Sequence, residues 1–301
     1  MNSLDFLCQG PPDGGNFEHA WADTYLGAHL ISDIGKKRER NEDSCLMGAP
    51  RDIDLLDGCG FLFAVADGMG GASAGEQASR LALTSFSESF YRGAPTNLPE
   101  RMRISIEDAN ARVFEASEND MELQGMGTTL TALSIIGDAA YVGQVGDSRV
   151  YLQRAEAPLI QVTEDHSLVA EQVKVGLITA DEARNHVMKN LITRAVGIKD
   201  AVEVDLFGVR VQKGDTLLLC SDGLCNFVSD AEIANALQLK TLRSAARLLV
   251  GKALEAGGND NVSVAVVRLI DSPPRRPLQE GCTPVETPQT GFVSKIKRLL
   301  G

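Results

Sequence analysis

The chain has 301 residues, 44% hydrophobic and 23% charged, enough for one large soluble domain with a sizeable core or for two small ones. A formal net charge of −12 argues against nucleic acid as a partner, and no apolar run approaches the roughly 20 residues of a membrane-spanning helix. Four histidines are too few for histidine-rich metal sites and leave little for a Ser-His-Asp triad, so any metal ligands should be oxygens, which favour Mg2+ or Mn2+.

Residues 1 to about 23 are rich in Gly, Pro and Asp without usable periodicity and read as a flexible extension. They lack the basic flank and apolar stretch of a signal peptide. The strand YLGAHLI comes next, then a loop carrying Lys36, Lys37, Arg38 and Arg40, then the group Asn41-Glu42-Asp43. FLFAVA (61–66) is short and apolar enough to be a strand buried on both faces. Ser73 and Glu76 form a capping box ahead of a helix with Ala78, Leu81, Ala82, Ser85, Phe86 and Phe90 on one side. A second helix starts at Pro99, with Met102, Ile106, Ala109 and Val113 at helical spacing.

TLTALSII (129–136) and AYVGQV (140–145) read as a hairpin. VYLQR (150–154), VDLFGVRV (204–211), LLLC (217–220) and VSVAVV (262–267) are further strands, and boxes at Thr179/Glu182 and Ser229/Glu232 open shorter helices. Strands and helices come in blocks, which argues for a layered α+β fold over regular βαβ alternation. Residues 272–291 read as a Pro/Thr linker. The closing FVSKIKRLL sets Phe292, Val293, Ile296, Leu299 and Leu300 against Lys295, Lys297 and Arg298. It is either a frayed helix or a docking segment for a partner groove or an acidic membrane surface. The six cysteines form no Cys-x-x-Cys pair and fit buried free thiols in a reducing cytoplasm.

The chemistry lies in a repeated arrangement of carboxylates. FAVA leads into Asp67-Gly68, LLLCS into Asp222-Gly223, and YVGQV into Gly146-Asp147, while Asp260-Asn261 immediately precedes VSVAVV. One Asp-Gly after a strand is ordinarily a turn. Four carboxylates at the tips of apolar strands are costly unless paired or bound to metal, and the nearby cations are mainly Arg38 and Arg149. Clustered carboxylates raise one another's pKa, and a divalent ion keeps them ionised together.

In this order, Ser32-Asp33-Ile34-Gly35 through Arg38, Asn41-Glu42-Asp43, Asp67-Gly68-Met69-Gly70-Gly71 and Gly127-Thr128-Thr129 resemble motifs of the metal-dependent (type 2C) protein phosphatases. So do Gly146-Asp147-Ser148-Arg149, Asp165-His166-Ser167, Ser221-Asp222-Gly223 and Asp260-Asn261-Val262-Ser263, in a form like the bacterial branch. The resemblance covers residues from about 25 to 270, setting a catalytic domain at 24–271 between the extension and a linker-plus-tail at 272–301. It implies a four-layer α-β-β-α sandwich of two antiparallel sheets with helices on both outer faces.

It also implies two divalent cations, Mn2+ or Mg2+, at one end of the sandwich. Asp67 would bridge them, with the Gly68 carbonyl as a further ligand. Asp222 and Asp260 would complete the first shell, and Glu42 and Asp43 would act around the second ion. Asp147 would hold a weaker third ion, and Arg38 would grip the substrate phosphate. The implied reaction is direct attack of a metal-bridging hydroxide on the phosphorus of phosphoserine or phosphothreonine, opposing a cognate serine/threonine kinase.

Many eukaryotic members have histidine where this chain has Met69, which cannot protonate a leaving group. A metal-bound water near Asp147 is the expected substitute, ahead of His166. A pseudophosphatase, a small-molecule phosphoesterase and a structural ion-binding domain are the alternatives, and a monomer is expected.

Overall fold

The computed structural model describes residues 4, 6–70, 74–94, 96–184, 186–272 and 274–287. Strands β1 (Leu7–Gly10), β2 (Phe17–Ala22), β3 (Leu26–Asp33) and β4 (Asp43–Gly48) are followed by helix α1 (Ile53–Cys59) and strand β5 (Phe61–Met69). The long helices α2 (Ala74–Arg92) and α3 (Leu98–Asn119) come next. Then follow β6 (Gly127–Thr128), the β7 (Leu130–Ile136) and β8 (Ala139–Val145) hairpin, β9 (Arg149–Gln153) and β10 (Ile160–Gln161). Short helices α4 (Leu168–Lys174) and α5 (Ala180–Arg184) precede β11 (Asp205–Arg210), β12 (Thr216–Cys220) and α6 (Asp222–Cys225). Helices α7 (Asp230–Leu237) and α8 (Leu242–Glu255) lead to β13 (Val262–Leu269) and β14 (Thr283–Val285).

Two sheets result, one ordered β1-β4-β5-β7-β8-β11-β14 with β6 on the end of β5, the other β10-β9-β12-β13-β3-β2. The continuous apolar runs have a simple cause, because both faces of each central strand are covered. Along β5, Phe63 and Val65 point between the sheets while Leu62, Ala64 and Ala66 face the outer helices. Likewise Leu217 and Leu219 of β12 point inward and Leu218 outward. Helices α2 and α3 cover the first sheet through Ala78, Ala82, Phe86, Phe90, Met102, Ile106, Ala109 and Val113. Helices α7 and α8 cover the second through Ile233, Leu249 and Ala253. The architecture is the expected four-layer sandwich.

Helix starts follow side-chain capping. Asn97 caps α3 by accepting from the Glu100 amide, with Pro99 in the first turn, and Ser229 and Glu232 close a reciprocal box on α7. Ser73, the expected cap of α2, lies outside the described residues, as does FVSKIKRLL. Among the described residues no helix is long and apolar enough to cross a membrane.

Three expectations need correction. Residues 7–22 are not a loose extension, because β1 pairs with β4 and β2 with β3, adding a strand at an edge of each sheet. Backbone pairing orders them, which composition does not reveal. The stretch read as a linker also packs on the domain. The Arg276 amide donates to Asp138, the Gln279 amide to the Tyr141 hydroxyl, and β14 joins β11. That last pair is parallel, so the first sheet is not purely antiparallel.

Candidate metal centre

Strand ends from both sheets bring the acidic residues together. Asp43 opens β4 and lies directly opposite Asp67 of β5. In the facing sheet, β12 ends one residue before Ser221, and Asp222 begins α6. The Ser221 amide donates to the Ser263 carbonyl, while its hydroxyl accepts from the Ser263 amide and donates to Asp43 Oδ2 at 2.7 Å. Ser221 therefore joins the two sheets at the site.

Asn261 makes a second staple. Its Oδ1 accepts from the Glu42 amide at 2.8 Å, and its Nδ2 donates to the carbonyls of Ile34 (2.9 Å) and Arg40 (3.0 Å). One side chain thus holds both the Arg38 loop and the Glu42 backbone. Thr129 and Thr128 fix the Asp67 peptide: the Asp67 amide donates to Thr129 Oγ1, and Thr128 Oγ1 donates to the Asp67 carbonyl. At Gly68 the backbone passes so close to its neighbours that a Cβ would stand 2.0 Å from the Gly75 carbonyl oxygen and 2.6 Å from that of Glu42.

The electrostatics are lopsided. Asp43 is 1% exposed and Asp147 8% exposed, whereas Asp67 and Asp222 keep partial solvent access at the mouth. Burial, against hydrogen bonds from Ser221 and Ser263, pushes the Asp43 carboxyl up to about 7. Burial raises Asp67 well above the ordinary carboxylate range, reinforced by Asp43, Asp222, Asp147 and Asp260. Asp147 is raised by burial and by Asp222, and Asp222 by burial and by Asp260. Burial also raises Glu42, with Arg38 opposing. Arg38 reaches Asp260 at 2.9 Å and Glu42 at 3.4 Å, its side chain 45% exposed.

These residues suit hard divalent cations. The donors are carboxylate oxygens, and Oδ1 of Asp43 is buried with no hydrogen-bond partner. Among the described residues no three His, Cys, Asp or Glu side chains stand as a ready-made ligand cage. Asp67 and Asp222 instead lie near enough that the charge of Asp222 raises the Asp67 carboxyl, so the two resist ionising together. A bound cation would relieve that repulsion, and the Ser221 and Asn261 staples already fix the backbone around it.

The acidic residues singled out from the sequence stand close enough to act on one another. Asp43, Asp67, Asp147, Asp222 and Asp260 influence one another's ionisation, and Arg38 and Glu42 border them. His166 serves a different purpose. Its Nδ1 accepts from the Gly146 amide at 3.0 Å, so Nε2 carries the proton and faces Asp205 Oδ2 at 3.0 Å. Burial lowers its pKa and keeps it neutral. Arg149 is committed to Asp165 in a bidentate pair. The roles of Ser221, Asn261, Thr128 and Thr129 escaped the sequence reading, although each adjoins or lies within a motif that was read.

A protein-family model described as Protein phosphatase 2C matches residues 35–252. The serine/threonine phosphatase stp of Listeria monocytogenes is 39% identical over 247 residues, covering 80% of this chain and 95% of that protein. Mycobacterium tuberculosis PstP, a serine/threonine protein phosphatase, is 38% identical over 240 residues, covering 80% of this chain and 44% of that protein. The crystal structure of the M. tuberculosis phosphatase PstP/Ppp superposes with a TM-score of 0.73 at 37% identity, over 82% of this chain and 99% of that one. The PstP catalytic domain in complex with two manganese ions gives 0.71 at 37% identity, over 82% and 99%. The chain belongs to the protein phosphatase 2C family.

Proposed function

We infer that this phosphatase removes phosphate from serine and threonine side chains of proteins, with two divalent cations, Mn2+ or Mg2+, held by the acidic cluster. The supporting observation is that Asp43 and Asp67 face each other across two strands, with the charge of Asp222 acting on both, while Asp43 Oδ1 is buried without a partner. A relative with the same fold binds two manganese ions.

In this reading Asp67, the Gly68 carbonyl, Asp222, Asp260, Asp43 and Glu42 would hold the two ions. Asp147 marks a third, weaker position. Bound cations supply Lewis-acid charge and an activated water nucleophile. Arg38 supplies the guanidinium: partly exposed, and aimed inward by Glu42 and Asp260, it can exchange those contacts for bidentate ones to a phosphate. Ser221 and Asn261 keep the two sheets in register, so the carboxylates need not reorganise as charge develops. His166 is occupied on both ring nitrogens and Met69 has no proton to give, so the leaving alkoxide takes its proton from water.

The substrates are phosphoproteins, which places the enzyme opposite a serine/threonine kinase. We assign it to the cytoplasm because all six cysteines are free thiols, three of them buried. The catalytic unit is taken as residues 24–271, with the flanking strands added to its edges. Retention of the whole acidic set beside Arg38 speaks against a binding module without turnover. The deciding experiment is hydrolysis of a phosphothreonine peptide with Mn2+ and with chelator, run beside Asp67→Asn. Release should require metal and collapse in the variant, and equal release by the variant would overturn the mechanism.

A further inference from the structure

We propose that Asn16, on the segment joining β1 to β2, is a positioning residue for Arg38. The proposal rests on the phosphate-binding role given to Arg38 above. The segment starts from β1, whose Gly10 pairs with Cys45 near the beginning of β4, and reaches β2, whose Phe17 pairs with Ser32 near the end of β3. It therefore bridges the two sheets at the end of the sandwich that carries the acidic centre.

There it holds both stems of the loop bearing Arg38. On the entering stem, Asn16 Oδ1 accepts from the Ile34 amide at 2.8 Å, and its Nδ2 donates to Asp33 Oδ2 at 3.2 Å. On the leaving stem, the Asn41 amide donates to the Gly14 carbonyl at 2.8 Å, and Asn41 Nδ2 donates to the Gly15 carbonyl at 3.0 Å. Beside the strap, Arg40 pairs with the buried Glu76 at 3.0 Å. Gly14 takes φ +68°, which favours glycine, and a Cβ there would stand 2.7 Å from a Glu76 carboxylate oxygen.

From the inner side, Asn261 holds the carbonyls of Ile34 and Arg40, and the Lys36 amide donates to the Gly258 carbonyl. Arg38 sits at the crown between these two sets of bonds. The residues that hold the loop lie outside the span matched by the family model, residues 35–252: the strap precedes it, and Gly258 and Asn261 follow it. Tethering from two sides narrows the guanidinium's range before substrate arrives, which lowers the entropy lost on gripping a phosphate. The strap's Asn41 contact adjoins the Asp43 amide, but Asn16 bonds only Asp33 and Ile34, so its loss should fall on phosphate binding and spare the metal centre.

The test is Asn16→Ala in the full chain, assayed on a phosphothreonine peptide with inorganic phosphate as competitor. Asn16 is exposed and packs into no core, so the variant should fold normally. The expected result is a rise of about three- to tenfold in KM and in the phosphate inhibition constant. Both kcat and the Mn2+ concentration for half-maximal activity should stay at wild-type values. In an Arg38→Ala background the Asn16→Ala effect should disappear, as coupled positions require. A wild-type KM in Asn16→Ala, or the same change in both backgrounds, would overturn the strap's role. Arg38→Ala with a wild-type KM would instead remove the phosphate-binding reading beneath it.

Discussion

Asp43 and Asp67 face each other across β4 and β5, and Oδ1 of Asp43 is buried with nothing to bond. Two acids so placed oppose folding unless a proton or a cation lies between them. The consequence for stability has a definite sign. The folded carboxyl of Asp43 is raised from its ordinary 3.8 to about 7. Below about pH 4 both folded and unfolded forms hold the proton. Between about pH 4 and 7 the unfolded chain releases it first, so the group's contribution to stability is lost as pH rises.

Asp43→Asn should therefore melt with wild-type protein near pH 4 in chelator and above it at pH 7. Saturating Mn2+ should reverse the order at pH 7, because the wild type, with its full ligand set, gains more binding energy than the variant. Comparing the two proteins cancels the other titrating groups. A melting difference that stayed flat across this window would remove Asp43 from the charge cluster.

Arg38→Ala should raise KM for a phosphopeptide about 10- to 100-fold, the worth of a charge-assisted bidentate contact. Arg38→Lys should recover only part of the loss, since an ammonium cannot make the paired contact. Mn2+ dependence should persist in both variants. Steady-state kinetics at saturating Mn2+ checks this directly, and a KM unchanged in both would place phosphate recognition elsewhere.

His166→Gln separates positioning from proton transfer. The histidine links the Gly146 amide, next to Asp147, to Asp205. Glutamine removes the imidazole and cannot span both partners, so stability should fall by about 1–3 kcal/mol. Turnover should fall as well, because the Asp147 loop loosens. The pH–rate profile of the variant should keep both of its limbs. Disappearance of one limb would make His166 the proton donor.

Much of the fold was readable because the central strands are covered on both faces, so runs such as Phe61–Ala66 stand out as apolar throughout. The edges were not readable for the opposite reason. In β2, Phe17, His19 and Trp21 alternate with exposed residues, but the six-residue pattern follows a Gly- and Pro-rich turn, and its order comes from pairing with β3. Strand β14 has three residues and takes its order from β11, more than 70 positions earlier in the chain. The acidic residues of the centre could be read because charge at an apolar strand tip is conspicuous. Ser221 and Asn261 could not, since their effect lies in bonds to backbone and side chains as far as 227 residues away.

Gly68 gives the last prediction, and it rests on space. A methyl group there would stand 2.0 Å from the Gly75 carbonyl oxygen and 2.6 Å from that of Glu42, and neither is a side chain that can swing aside. The Glu42 carbonyl already accepts the Gly68 amide and the Ser79 hydroxyl, so it cannot retreat without breaking both bonds. Gly68→Ala should therefore separate β5 from β4 or from the start of α2, at about 1–3 kcal/mol in stability. Because that displacement lies beside Asp67, activity should fall much further than stability does. Gly251→Ala, in the middle of α8 with open space around it, is the matched control and should leave activity unchanged with a small gain in stability. Full activity in Gly68→Ala would show that the chain can open at this point without disturbing the acidic centre.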